Sequence, residues 1–273
     1  MFRYMLAPLE DTSDDALRTL CHRHGADLTF TEMTRLSSLA RNNKSTWEKI
    51  SSKSDTPTVI QIAALKEDEL RSFLDAYVPQ KGFAGFNLNL GCPSPQLVRL
   101  GMGCAQMKRV EKTRRLVAQV KDRGYPCSIK MRLGANRFEK EKKVYLNVLG
   151  AVDADFFVVH ARHGGQHYES PADSSVYESC VATGRTIIAN GDITSGEQIA
   201  HLKEIGVGGA MIGRAAVRFP AIFDALKGRP TPSLDDLKEE YLALSRRFGA
   251  QQKYRENVLK RLGTQITTVS ENG

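Results

Sequence analysis

The sequence predicts a (β/α)8 barrel, the TIM-barrel architecture of the α/β class, followed by a short all-helical C-terminal domain. Three observations carry this. Eight short apolar runs recur before residue 213. Each is followed by a stretch long enough for a helix, and strand–helix alternation means a parallel sheet covered by helices. Polar residues also gather at the C-terminal ends of several runs, and a closed barrel brings those ends to one mouth. A doubly wound sheet is the runner-up, but the GxGxxG turn that often follows its first strand is absent.

The runs, in order, are Tyr4–Leu6, Leu28–Phe30, Thr58–Ile62, Gly85–Leu88, Cys127–Met131, Phe156–Val159, Thr186–Ala189 and Gly208–Ile212. Between them, Glu67–Tyr77, Val110–Arg123, Phe138–Leu149 and Ser195–Ile205 read as helices. The barrel is expected over 1–226. The segment 227–233 reads as a linker, and Asp235–Phe248 and Gln251–Leu262 read as two helices of a reduced domain over 234–263. The polar end, 264–273, reads as a frayed tail.

Composition narrows the function classes. With 41% hydrophobic residues in 273, the chain can build a substantial core, which disorder cannot. No apolar run reaches the roughly 18 residues of a membrane span. The start lacks a signal-peptide core, so a cytoplasmic protein without a membrane partner is expected. Five widely spaced cysteines without a CxxC pair argue against a disulfide framework and against a metal site. The net charge of +8 fits a polyanionic partner. Seven basic residues against two acidic ones lie between Lys108 and Arg123, and six against Glu256 alone between Tyr241 and Gly263. Either cluster also reads as an ordinary solvated helix face.

The strand ends carry the chemistry. The seventh run leads into Asn190-Gly191-Asp192 and the eighth into Gly213-Arg214. Loops after these barrel strands often bind phosphate through backbone N–H groups. Glycine allows the backbone to approach closely, and Arg214 offers a charged fork. Lys130 and Arg132 alternate with Ile129 and Met131, so they share one face. A lysine inside an apolar run is costly unless it meets an anion or an electron-rich ring. His160 ends the sixth run and Gln61 interrupts the third. Cys92 stands between Gly91 and Pro93, where a thiol of ordinary pKa can act as a general acid, or as a nucleophile if that pKa is lowered. Asn89 offers both amide donor and acceptor, which suits a planar carbonyl/NH heterocycle. Each residue alone also reads as structural. Five strands with polar tips are harder to read that way.

In this order the elements resemble the flavin-dependent tRNA-dihydrouridine synthase family. They include Met5-Leu-Ala-Pro-Leu-Glu10, Gln61, Phe86-Asn-Leu-Asn-Leu-Gly-Cys-Pro-Ser-Pro95, Ile129-Lys-Met-Arg-Leu-Gly134, Val159-His-Ala-Arg162 with Gln166 and Tyr168, Asn190-Gly-Asp192 and Met211-Ile-Gly-Arg214. The resemblance implies a barrel holding flavin mononucleotide (FMN), recharged by NADPH or NADH, that reduces the C5–C6 bond of selected uridines in tRNA. It implies no obligate protein partner. By the same resemblance Cys92 is the general acid and Asn89 a uracil contact. Pro8, Gln61, Lys130 and His160 meet the flavin ring, and Asn190, Gly191, Asp192, Gly213 and Arg214 its ribityl-phosphate end. Arg162 and Gln166 lie near the bound nucleotide. The chain departs from the family pattern at His163, Ser170 and Ala215 and in its short C-terminal region. The three substitutions bear on the substrate loop, while the short C-terminal region leaves ribosomal RNA, or a free pyrimidine or enone, as alternative substrates.

Overall fold

The computed structural model describes residues 1–41 and 43–264. Its strands are β1 (Arg3–Leu6), β2 (Thr29–Phe30), β3 (Thr34–Arg35), β4 (Thr58–Ala63), β5 (Phe83–Leu90), β6 (Cys127–Met131), β7 (Phe157–His160), β8 (Ile187–Asn190) and β9 (Gly209–Ile212). They pair in the order β1-β9-β8-β7-β6-β5-β4-β2, every pairing parallel. A bridge between Met5 and Leu28 returns β1 to β2, so the ring closes as a barrel. Every apolar run read from the sequence overlaps a barrel strand. The exception to the expected set is β3, which lengthens the edge beside β4 through Thr34–Ile62 and Arg35–Ala63. Two residues are too few for any periodicity to announce.

Strand side chains alternate with period two. Leu6, Ile60, Leu88, Ile129, Val159 and Ile212 point outward and join the helices in one large core. Met5, Phe30, Val59, Val158, Ile188 and Met211 point inward and plug the barrel. Each fully buried aliphatic or aromatic side chain contributes roughly 1.5–3 kcal/mol. Above the plug the inward positions turn polar, and that change marks the functional end.

The stretch Phe138–Leu149, expected as one helix, is two: Arg137–Glu141 and Val144–Ala151. Lys143 between them is left-handed, at φ 51°. No glycine or proline marks this break. It follows from tertiary demands: Glu139 is drawn under the Gly134 turn, where it accepts from the N–H of Ala135 (2.7 Å), while Tyr145, Val148 and Leu149 turn into the core.

The last two helices are Leu234–Phe248 and Gln252–Leu259. Ser233 and Asp236 form a capping box at the first, and Gly249 ends it in the left-handed conformation. Leu237, Tyr241, Leu244, Phe248 and Val258 join the barrel's own core. The final helix lies on the loops after β1 and β2. There Tyr254 donates to Glu32, Asn257 donates to the Asp11 carbonyl (2.9 Å), and Lys253 pairs with Asp11 (2.6 Å). The expected frayed tail, beyond Thr264, lies outside the described residues. No helix among the described residues is long and apolar enough to cross a membrane.

Candidate active site

The polar tips of β4, β5, β6, β7 and β8 converge at one mouth. Register accounts for this: Gln61 lies beside Asn87, Asn89 beside Lys130, and His160 beside Asn190. A ladder of amides ties the tips together. Gln61 donates to Asn87 (2.8 Å), Asn87 donates to Ser128 (2.8 Å), and Asn89 donates to the Gln61 carbonyl oxygen (2.9 Å). Such a satisfied buried network holds each side chain in one rotamer.

Asn89 also shapes the loop that carries Cys92. Its Oδ1 accepts from the N–H groups of Gly91 (3.1 Å) and Cys92 (2.9 Å). The Cys92 carbonyl accepts from the Cys104 N–H (3.0 Å). That contact requires Gly103, at φ 59°, where a Cβ would come within 2.2 Å of the Cys92 carbonyl oxygen. The thiol is thus half-buried on a loop braced from both sides, beside Met33, Leu65 and Met102. One hydrogen of the Asn89 amide and the Cys92 thiol are what this corner offers a ligand.

Lys130 donates to Asn190 Oδ1 (2.8 Å) and pairs with no carboxylate among the described residues. Burial, with Arg132 adding to it, pulls its pKa down to about 7. Asn190 passes the contact on by donating to the Met211 carbonyl (2.9 Å). His160 is buried and surrounded by Lys130, Arg132, Arg162 and Arg214. Burial and those cations push its pKa down to about 2. Arg162 reaches its Nε2 (3.3 Å), and arginine can only donate, so Nε2 carries no proton. His160 is neutral at physiological pH.

Arg162, expected near substrate, is completely buried. Its guanidinium donates to the Ser170 carbonyl through Nε (2.9 Å) and Nη2 (2.7 Å), to the Tyr168 carbonyl (3.3 Å), and to Asp192. It clamps the 168–172 loop to the turn after β8. Asp192, expected at the cofactor phosphate, turns its carboxylate to arginines: Oδ2 to Arg162 and Oδ1 to Arg214 (2.7 Å). A carboxylate repels phosphate, so only the Asp192 backbone N–H can serve one. Gln166 is half-buried and donates to the Pro171 carbonyl (2.9 Å). Pro8 follows β1 at the rim, where the preceding Ala7 N–H is held by the Ile212 carbonyl (2.8 Å).

The backbone N–H groups of Gly191, Asp192, Gly213 and Arg214 donate to no protein acceptor among the described residues. Gly191 is at φ 119°, and a Cβ there would lie 3.0 Å from both His160 and Ala172. Gly213 is under less constraint, its nearest neighbour being 3.4 Å away. Arg214 is about half exposed, with its guanidinium 4.4 Å from the centre of the Tyr168 ring. The expected site residues therefore share one mouth, but divide into two kinds. Cys92, Lys130, His160, Asn190, Arg214 and the turn N–H groups offer free or shared donors. Arg162, Asp192 and much of Asn89 hold the others in place.

Two further residues take part, to which the sequence assigned no specific role. Arg132, buried, donates to the His163 carbonyl (2.8 Å) and holds the loop after β7. Tyr168, half exposed, stacks at 6.1 Å on His160 beneath three guanidinium groups. Arg132 shares the face of Lys130 by alternation, so that pattern already marked it. Tyr168 lies in a loop, where no periodicity applies. Beyond the mouth, Glu10, Asp11 and Glu32 bring ligand atoms within 4.8 Å of one another, but Lys49, Lys253 and Tyr254 already meet them.

Comparison with known proteins agrees with this geometry. The family profile described as dihydrouridine synthase (Dus) matches residues 5–269. A protein named tRNA-dihydrouridine synthase B from Pseudomonas putida is 29% identical over 258 residues, covering 89% of this chain and 76% of its own. A protein of the same name from Xanthomonas axonopodis is 28% identical over 225 residues, covering 81% and 68%. Among solved structures, morphinone reductase superposes with a TM-score of 0.58 at 11% identity, over 88% of this chain and 90% of its own, a likeness of fold. With its profile spanning nearly the whole chain and its relatives matching across the barrel, this protein belongs to the dihydrouridine synthase family.

Proposed function

We propose that this protein reduces the C5–C6 double bond of uridines in tRNA, with FMN as cofactor and NADPH or NADH as reductant. The observation that carries the reading is the presence, at one barrel mouth, of a braced thiol and a lysine that has no carboxylate partner among the described residues. On the adjoining turns, four N–H groups have no acceptor among the described residues. Those turn N–H groups, with Arg214, fit a phosphate. Lys130, neutral His160 and Gln61 fit the polar edge of a planar ring. When bound, the flavin supplies the hydride for the base.

The chain's own residues do the rest. The C5–C6 bond of uracil is conjugated to the C4 carbonyl, so C6 accepts hydride and C5 then needs a proton. Cys92 Sγ holds that proton, on a loop that Asn89 and Gly103 keep from drifting. Asn89 retains one N–H for a uracil carbonyl. Lys130 becomes fully charged when an anionic group binds beside it and stabilises negative charge there. The base must leave its stack to enter, at roughly a few kcal/mol, which favours uridines in loops.

The test is Cys92→Ala. The variant keeps its yellow flavin, while dihydrouridine formation falls on the order of 10²–10⁴-fold, the usual weight of a positioned acid. Unchanged turnover on RNA would exclude Cys92 as proton donor. A colourless protein that cannot be reconstituted with FMN would refute the reading as a whole. Mapping dihydrouridine across cellular RNA with and without the gene separates tRNA from ribosomal RNA as substrate.

A further inference from the structure

The loop after β6 carries a feature that the proposed chemistry leaves unused. Phe138 is 65% exposed, although it sits within a few residues of the buried Gly134 turn. The loop that presents it is rigidly built. Glu139, 2% exposed, accepts from the Ala135 N–H (2.7 Å) and pairs with Lys108 (2.6 Å). Asn136 caps the helix by accepting from the Glu139 N–H (3.0 Å). The loop is also joined to the one after β7: Gly164 donates to the Gly134 carbonyl (2.8 Å) and Gly165 to the Ala135 carbonyl (3.1 Å). Phe138 is therefore held out from the mouth's rim by a braced support. Leaving a phenylalanine in water forgoes roughly 1.5–3 kcal/mol of burial, and a braced loop has no local reason to do so.

Its surroundings are cationic. Between 137 and 143 stand Arg137, Lys140, Lys142 and Lys143 against Glu139 and Glu141. Glu139 is committed to Lys108, Glu141 to Arg137 (2.8 Å), and Lys140 to Asp173 (2.7 Å). Lys142 and Lys143 pair with no carboxylate among the described residues, and the Lys142 ammonium lies 5.7 Å from the centre of the Phe138 ring. His163, on the joined loop, is held below its ordinary pKa by burial and by Lys140, Arg132 and Arg137, so the positive potential spans both loops. An exposed ring with the unpaired Lys142 ammonium beside it matches the pattern by which single-stranded nucleic acid is held: bases stack on aromatics while cations follow the backbone.

We propose that Phe138, with Lys142, is a stacking platform for an unpaired base of the RNA close to the uridine being reduced. This rests on the RNA-modifying reading above. The platform would grip the strand after the target base has left its stack, and would favour RNA whose neighbouring base is also unpaired.

The test uses the full chain and a fluorescently labelled tRNA pool from cells lacking this gene, with binding read by anisotropy and no turnover required. Phe138→Ala is expected to weaken binding about 5-fold or more, the low end for one stacked base, with an unchanged salt slope. Phe138→Trp is expected to bind at least as well as the parent. Lys142→Gln is expected to lower the salt slope by about one phosphate contact. Equal affinity for Phe138→Ala and the parent overturns the proposal. So does equal weakening by Phe138→Ala and Phe138→Trp, which would mark a merely structural ring. Ring-dependent binding by a protein that reduces no uridine in the pool would sink the proposed reaction and leave the platform. Reduction with ring-independent binding would sink the platform alone.

Discussion

At the proposed site, Lys130 should weaken the flavin-free protein, and Lys130→Met measures by how much. Its pKa is about 7 in the folded chain, against roughly 10.4 for a free lysine. At 1.36 kcal/mol per unit, the full displacement is worth about 4–5 kcal/mol. The ammonium is partly solvated at the mouth, so we take half, about 2 kcal/mol. Loss of the bond to Asn190 returns about 1 kcal/mol of that. The net expectation is a flavin-free Lys130→Met protein more stable by about 1 kcal/mol, or about 2–4 °C in Tm. The pH dependence has a definite sign. The folded pKa is depressed, so the unfolded chain binds more protons between pH 7 and about 10, and the parent gains stability as pH rises through that window. The advantage of the methionine variant is therefore full below pH 7 and shrinks towards pH 10. Thermal melts of both flavin-free proteins at pH 6.5 and 9.5 read this directly. A variant that melts lower at pH 6.5, or a gap that widens with pH, would refute the reasoning. In the presence of FMN the order should reverse, because the anionic cofactor stabilises the parent's charged lysine.

The remaining expectations concern backbone and buried charge. A Gly191→Ala methyl would press on His160 and Ala172 at a φ that L-residues avoid. It should cost roughly 1–3 kcal/mol and lower the flavin content, read as absorbance per protein. Asp14 has a buried oxygen without a partner among the described residues, and burial raises its pKa to about 6. For this raised carboxyl, stability is full below pH 4 and is lost as pH rises through 6, by on the order of 2–3 kcal/mol. Asp14→Asn keeps the cap on Leu17 and should raise Tm at pH 8 but hardly at pH 4, by calorimetry.

Much of the fold was legible because a barrel repeats one local rule. Apolar runs such as Val59–Ile62 and Phe157–Val159 announce strands, and inward polar tips such as Gln61 and His160 show which end is open. The break at Lys143 was not legible, since it arises from Glu139 reaching back under Gly134 rather than from any helix-breaking residue. The separation of contact residues from holding residues was equally hidden. Arg162, Asp192 and Arg214 are all charged residues at strand ends, and composition treats them alike.

The sequence by itself determined the alternation of strands and helices around the barrel and marked polar strand ends as candidates for the mouth. Each of these follows from spacing along one chain. Only the tertiary structure decided how they are used. It showed Asp192 consumed by two arginines, Arg162 sealed inside, Lys130 without a carboxylate among the described residues and Phe138 held out in water. The physical reason is that charge pairing and burial depend on which groups lie within a few ångströms of one another, and in a closed barrel those neighbours come from strands far apart in the chain.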